Sequence, residues 1–283
     1  MTTEKKLTND ILATIVLYNT SLEQSQTFQS LSKSLLYSSD HLEILVYDNS
    51  RDKMYTGKKY NSWHIHYYHD PANSGVSKAF NHGGALAKTL GKKWLLLLDQ
   101  DTLFPREAIN IYANALKENM PGLLAPYLFF KRKLISPFSI KSGKGRIINY
   151  IHPGKYSLDQ IMPVNSGLLI NVEDFWSCGG YNESFPLDYS DFAFIERYRK
   201  ICPDFKVINL ECEHQFSGLD HAGDKQSALK RFEHFCNSTL RYKREVSPYL
   251  KSSKLIIRRA LRLSIAYKSI SFLKIAIMTI SKK

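Results

Sequence analysis

Residues Trp94–Thr102 read WLLLLDQDT, a run of large apolar side chains that ends, with no turn residue between, in two carboxylates one residue apart. Four consecutive leucines have the continuous hydrophobicity of a strand covered on both faces, as in a parallel sheet sandwiched between helices. Side chains alternate along a strand, so Asp99 and Asp101 are expected on one side and Gln100 on the other. Two close carboxylates raise each other's pKa unless a cation sits between them. Sheets of this class bind ligands just beyond the carboxyl ends of their strands. Carboxylate oxygens suit Mg²⁺ or Mn²⁺, which commonly bridge to a substrate's phosphates. An isolated acid-x-acid triplet is equally compatible with a solvated turn, so its neighbours decide.

Upstream, Ile11–Tyr18 (ILATIVLY) is a β-branched, nearly all-apolar strand, and Asn19, Thr20 and Ser21 supply turn and cap chemistry for a helix through about Leu36. His41–Ser50 (HLEILVYDNS) and His64–Tyr68 (HIHYY) read as further strands. Between them and the leucine run, Val76, Ala79, Phe80, Gly83, Ala87 and Leu90 recur at helical spacing, with Asn73 or Ser74 as cap and Gly91 as stop. This order predicts an α/β domain with a mainly parallel central sheet. Downstream a helix is expected over about 106–119, and then loops or short hairpins over the Lys-, Gly-, Ser- and Pro-rich stretch 131–160. Strand character returns at Val164–Val172 (VNSGLLINV) and Lys206–Glu211 (KVINLE).

With 283 residues, 43% of them hydrophobic, the chain can fill a large core, which excludes disorder as the main state. Cys178, Cys202, Cys212 and Cys236 form no CxxC pair, so free thiols in a reducing compartment are expected rather than a zinc ribbon or a disulfide framework. The N-terminus MTTEKKLTND lacks the apolar region of a secretion signal, and no uncharged apolar run is long enough to span a bilayer. His64, His66 and His69 read as surface or packing residues rather than a metal cluster.

The first strand, VYDNS, NSGVSKAFNHG, WLLLLDQDT and LDYSD, in this order, resemble the family 2 glycosyltransferases, and particularly bacterial rhamnosyltransferases. The resemblance covers residues 10 to 240 and implies a GT-A fold, a Rossmann-like mixed sheet, and inverting, metal-dependent transfer of a sugar from a nucleotide diphosphate. It implies a glycosyltransferase domain over 8–240, with a nucleotide-sugar half to about 103 and an acceptor half to 240, followed by a basic helical tail over 241–283. By position, Tyr18, Asn19 and Asp48 correspond to residues that hold the base, although an aspartate at a strand end also closes an Asx turn. Asn73, Gly75 and Asn81 correspond to residues near ribose and diphosphate, where the N-terminus of the following helix could favour phosphate. Gly83 and Gly84 are expected to serve helix packing. Asp101 corresponds to a direct metal ligand, Asp99 to a ribose or metal-water contact, and His214 to the remaining ligand of Mn²⁺ or Mg²⁺. Asp191 corresponds to the base that deprotonates the acceptor hydroxyl, with Asp188 in reserve. Where relatives have an acid soon after that aspartate, this chain has Phe192, Ala193 and Phe194 before Glu196. Asn165, Ser166 and Gly167 correspond to the border of the acceptor groove. Gln100, between the two acids, matches the form in the rhamnosyltransferase branch and implies dTDP-rhamnose as donor. Another donor, UDP-hexose or UDP-galactofuranose, and a non-catalytic scaffold remain the alternatives.

Residues 241–283 hold 12 Lys or Arg against one acid, whereas residues 1–240 hold 27 against 25, so the basic character belongs to the tail. At 100° per residue, Lys254, Arg258, Arg259 and Arg262 share one sector and Ile256, Ala260, Leu263, Tyr267 and Ile270 another. That pattern suits an amphipathic helix on an anionic membrane surface, or one packed on the domain with a solvated basic face. Without a nucleic-acid motif beside the charge, no nucleic-acid partner is expected. The class implies a lipid-linked saccharide acceptor and a peripheral, cytoplasmic location on the inner face of a bacterial plasma membrane.

Overall fold

The structure, a computed structural model, describes residues 7–118, 121–141, 144–215 and 224–281. After a 3-10 turn the chain runs through β1 (Ile11–Leu17), α1 (Gln26–Ser38), β2 (Leu42–Asp48), β3 (Trp63–His69), α2 (Val76–Thr89) and β4 (Trp94–Asp99). It continues through β5 (Thr102–Leu103), α3 (Ala108–Ala115), β6 (Leu123–Phe130), β7 (Lys133–Ser136), β8 (Phe138–Lys141) and β9 (Lys144–Arg146). The second half holds β10 (Gly154–Ser157), β11 (Ile161–Met162), β12 (Leu169–Asn171), α4 (Val172–Ser177), α5 (Ser190–Tyr198) and β13 (Asp204–His214). Three helices close it: α6 (Lys225–Glu245), α7 (Ser252–Ala266) and α8 (Ser271–Ser281).

The main sheet has the order β10-β13-β6-β12-β4-β1-β2-β3. β4, β1, β2 and β3 are mutually parallel, β13 is parallel to β6, and β12 runs antiparallel between β4 and β6. Every residue of β1 is buried because the pleat divides its side chains between two cores. Leu12 and Val16 join Leu95, Leu97 and, from α2, Ala79, Phe80 and Ala87. Ile11, Ala13, Ile15 and Leu17 join Leu96, Leu98 and the apolar faces of α1 and α3. The expected α/β sandwich with a mainly parallel sheet is therefore the observed one.

Several local expectations shift. The 18–25 segment first forms a 3-10 turn capped by Ser21, and α1 starts only at Gln26, where Ser25 Oγ accepts from Phe28 N. For α2 the cap is Gly75 rather than Asn73 or Ser74, with the predicted stop at Gly91 in the left-handed region. The expected helix to 119 ends at Ala115, and Asn119 lies outside the described residues. In VNSGLLINV only Leu169–Asn171 is strand, because the Asn171 side chain accepts from the Glu173 and Asp174 amides and starts a helix. Within 131–160, β8 and β9 join β11 in a separate three-stranded sheet, while β10 edges the main one.

The tail differs most. α6 runs straight through residue 240, and 254–280 forms two helices, broken at Tyr267–Ile270 with Lys268 at φ 47°. Ile256 and Ala260, with Leu263 and Tyr267 packed against them, face Phe232, Cys236, Phe272 and Ala276 in a core of their own. Most of the apolar stripe read from the sequence is therefore internal. Ile270 lies beyond the end of α7 and is 65% exposed. Arg259 leaves the solvent sector, its guanidinium lying 4.1 Å over the Phe235 ring. No helix among the described residues is long and apolar enough to cross a membrane, and all four cysteines are free.

Candidate active site

β4 ends at Asp99, so strand alternation does not carry Asp101 to the same face, as expected from WLLLLDQDT; Asp101 sits in the turn that leads into β5. Its neighbour is set by tertiary pairing. β5 lies antiparallel to the end of β13, placing Thr102 opposite His214, and Gln215 N donates to the Asp101 carbonyl at 2.9 Å. His214 Nδ1 thereby lies 2.7 Å from Thr102 Oγ1 and 3.6 Å from Asp101 Oδ1. Thr102 Oγ1 also meets Ser166 Oγ at 2.7 Å.

Two residues that gave no signal in the sequence hold the acidic turn from behind. Thr27 Oγ1 donates to the Asp99 carbonyl at 2.5 Å and accepts from Thr102 N at 2.9 Å, and Ser25 Oγ donates to the Gln100 carbonyl at 2.8 Å. The Gln100 amide embraces the end of β1: Oε1 accepts from Tyr18 N at 2.8 Å and Nε2 donates to Tyr18 O at 3.4 Å. The glutamine thus ties the acidic turn to Tyr18, whose ring is 51% exposed at the cleft rim beside Asn19.

Asp191 occupies the first turn of α5. Burial pushes its carboxyl up to about 6, with the Asp99 carboxylate adding to the rise. Asp99 is raised in turn, by burial first and by Asp101 as well, with His214 opposing. Asp191 therefore lies close enough to Asp99 for the two carboxylates to interact, although 92 residues separate them, and Asp101 in turn acts on Asp99. The wall behind Asp191 is built by Tyr181, also missed in the sequence, which stacks on Phe194 at 4.3 Å and donates from its hydroxyl to Asn165 Oδ1 at 2.6 Å. Asn165 Nδ2 reaches Ser190 Oγ at 3.2 Å. Phe192 and Phe194, standing where relatives have an acid, pack against Phe138 and Tyr181, and Glu196 turns away to pair with Arg199.

Other candidates are engaged in holding the chain. Asp48 is fully buried and accepts from Ser50 N (2.9 Å), Met54 N (3.0 Å) and Tyr67 OH (2.7 Å). Burial works against its ionisation, but those hydrogen bonds hold its carboxyl below the ordinary value, which is the Asx-turn alternative realised. Asp70, at the end of the adjacent strand, does the same for the next loop through Tyr47 OH, Ala72 N and Ser74 N. Asn81 Oδ1 accepts from Tyr181 N, and its Nδ2 donates to Tyr181 O and Glu183. The α2 N-terminus is also occupied, since Val76 N donates to Pro186 O at 2.7 Å and Ser77 Oγ to Phe185 O at 2.6 Å. Gly75, at φ 93°, is required there, because a Cβ would lie 2.2 Å from Pro186 O. Asn73, at φ 51°, precedes that contact in the same loop. Asn165, Ser166 and Gly167 precede β12 rather than opening it and are drawn inward, with Gly167 N donating to Leu97 O and Tyr112 OH to Gly167 O. Asp188 is held by a two-pronged pair with Arg231 and lies 4.0 Å from Arg259. His66 does have an acid partner, Glu43 at 3.3 Å, which Lys92 shares at 2.9 Å.

Among the described residues no group of three His, Cys, Asp or Glu side chains is arranged to enclose a metal ion by itself. The chemistry of the donor set still fits a divalent cation, since two mutually repelling carboxylates, Asp99 and Asp101, lie next to the His214 imidazole.

Residues 13–150 match the family model described as Glycosyl transferase family 2. A comparison with curated proteins finds no match. Solved structures that share the fold include S. aureus TarS 1–349 in complex with UDP (13% identity, TM-score 0.53), covering 81% of this chain and 65% of that one. Its complex with UDP-GlcNAc gives 15% identity, TM-score 0.53 and coverages of 81% and 66%. GalNAc-T7 with UDP, GalNAc and Mn²⁺ gives 13% identity, TM-score 0.50 and coverages of 87% and 53%. The chain thus spans less than two thirds of the length of these chains. The architecture is the GT-A fold, with a helical C-terminal part, and the family match supports a family 2 glycosyltransferase.

Proposed function

We propose that this chain, a family 2 glycosyltransferase of GT-A fold, transfers a deoxyhexose with inversion, L-rhamnose from dTDP-rhamnose, onto a lipid-linked saccharide. The observation that carries the reaction class is the proximity of two carboxylates of raised pKa, Asp191 at the start of α5 and Asp99 in the acidic turn, with Asp101 next to the latter. Asp191 takes the proton of the acceptor hydroxyl while that oxygen attacks the anomeric carbon, and the bond from that carbon to the diphosphate breaks on the opposite face. A carboxylate near 6 is mostly ionised at neutral pH yet basic enough to accept the proton. Asp99, Asp101 and His214 are the residues that would hold Mn²⁺ or Mg²⁺, which offsets the charge developing on the leaving diphosphate. Tyr18, braced by Gln100, offers an exposed ring against which a base can stack. With Asp48 turned into its own loop, recognition of the base falls to the rim made by Tyr18 and Asn19.

A second donor is favoured by a specific observation. The structural neighbours hold UDP or UDP-GlcNAc, and the side chain of Gln100, whose identity suggested rhamnose, is occupied with Tyr18 rather than aimed at a sugar. A panel of dTDP-rhamnose, UDP-glucose, UDP-galactofuranose and UDP-GlcNAc, each assayed with Mn²⁺ for hydrolysis and transfer, separates the two. Preference for dTDP-rhamnose supports the first reading, and preference for any UDP-sugar replaces it. Turnover of none, with Asp191→Asn indistinguishable from wild type in nucleotide binding and in cells, would favour a scaffold.

Membrane contact is proposed for the outer faces of α7 and α8. The stripe that packs inside is not the only apolar one: Leu255, Ile257, Leu261 and Ile265 are 39–79% exposed among the exposed cations Lys254, Arg258, Arg262 and Lys268, and Ile277 and Met278 lie exposed on α8. Aliphatics interleaved with cations on an outer face suit an anionic lipid surface, where a lipid-linked acceptor would be found.

A further inference from the structure

The loop that presents Asp191 is gripped from the C-terminal helices. Arg241 of α6 donates to the Ser184 carbonyl. Tyr242 packs edge-on to Phe185 with centroids 6.0 Å apart and stacks on Tyr189 at 4.8 Å, while Thr239 Oγ1 lies 3.3 Å from Tyr189 OH. At the centre, the Asp188 side chain is only 13% exposed; Arg231 of α6 meets both its oxygens, one at 2.9 Å, and Arg259 of α7 stands 4.0 Å away. Arg259 is itself fixed by the Phe235 ring. The next residue, Tyr189, has φ 65°, a left-handed conformation that a bulky side chain adopts only where its surroundings impose it. Asp191 follows two residues later.

We propose that Arg231 and Arg259, acting through Asp188, are positioning residues that hold residues 188–191 in the conformation that aims Asp191 into the cleft. The proposal rests on the reading of Asp191 as the base. A planar fork on a carboxylate fixes both distance and rotation, which a single point charge does not. The pair therefore transmits the packing of α6 and α7 to the start of α5. Arg259 of the basic C-terminal segment thus has an inward task, distinct from the outward Arg258 and Arg262. The same arrangement also accounts for Asp188, the reserve base in the sequence, being held by the two arginines.

The test uses the full chain and the donor selected by the panel. Arg231→Gln and Asp188→Asn should lower kcat about 10- to 100-fold, the effect of a small misplacement of a reacting group. The calorimetric Kd for the matching nucleotide with Mn²⁺ should stay within about twofold, because the strut touches the base loop and not the acidic turn. Arg231→Lys, which keeps the charge without the fork, should fall between, and Lys230→Gln, an exposed neighbour with the same loss of charge, should match wild type. Amide hydrogen exchange across 185–192 should rise in Arg231→Gln while β1 and β4 keep their protection, a readout that needs no turnover. Unchanged exchange in that segment, unchanged kcat, or a loss of kcat matched by an equal loss of nucleotide affinity would each overturn the proposal. If Asp191→Asn itself retains wild-type kcat, the reading of the base fails instead, and the exchange result still decides the strut.

Discussion

Replacing Asp191 by Asn should cripple transfer and yet stabilise the protein, by an amount that depends on pH. The carboxyl stands at about 6 in the folded chain against an ordinary 3.8, because burial and the nearby Asp99 charge penalise its ionised form. A shift of about two units corresponds to about 3 kcal/mol at 1.36 kcal/mol per unit. Asp191 keeps some solvent exposure, so about 1–3 kcal/mol is the expected range. The sign follows from linkage. Below the unfolded value both states carry the proton and the residue costs nothing. Between 3.8 and 6 the unfolded chain loses its proton first, so wild-type stability falls, and above 6 the full cost is present. The Asn variant escapes this cost, so its advantage should be near zero at about pH 4, grow through the interval, and level off above about pH 7. Urea unfolding of both proteins at pH 4.5 and pH 7.5, in chelator so that no cation intervenes, measures it. In turnover the same residue should give kcat/KM an acid limb near pH 6, and its removal should cost about 10²- to 10⁴-fold. Equal stability differences at the two pH values would refute the account of why the carboxyl is raised, and undiminished turnover would refute its role.

Further outcomes follow from other contacts. Asp101→Ala should abolish Mn²⁺-dependent binding of dTDP or UDP in calorimetry, and chelator should do the same to wild type; metal-independent binding of equal strength in both would remove the acidic turn from the donor site. Gly83→Ala places a Cβ 2.1 Å from Thr14 Oγ1 at the interface of α2 and β1, and should destabilise by about 1–3 kcal/mol, read as a lower urea midpoint. Gln100→Ala removes the brace on Tyr18 and should weaken nucleotide binding by about 1 kcal/mol, roughly fivefold in Kd, with the fold unchanged. Arg258→Glu with Ile265→Asp should abolish flotation with vesicles containing anionic lipid; unaltered flotation, or none by wild type, would leave α7 as a packing helix with a solvated face.

The central strands and the helices beside them were legible because burial writes itself into local periodicity. A nearly all-apolar ILATIVL, a leucine run and a helical spacing over 76–90 each report the faces they present without knowledge of what covers them. The stop at Gly91 was legible for the same local reasons. What local pattern could not carry was the choice between a free polar group and one consumed by the chain itself. Asp48, Asn81 and Asp188 are chemically as suited to ligands as Asp191, but each meets donors supplied by other parts of the chain: Tyr67, Tyr181 and Arg231. Asp101 lies beside His214 through the pairing of β5 with β13 rather than through the strand alternation expected from WLLLLDQDT. Thr27 and Ser25 gave no signal, because a hydroxyl that braces a turn some 75 residues away looks like any other helix-start hydroxyl. The tail shows the same division. Its sequence determined that α7 would be amphipathic and basic, while only packing against α6 and α8 decided which stripe is core, which is surface, and that Arg259 turns inward. Side-chain periodicity is a property of a few neighbouring residues, whereas the partner of a charge or an amide is set by the long-range arrangement of strands and helices that brings it within about 3 Å.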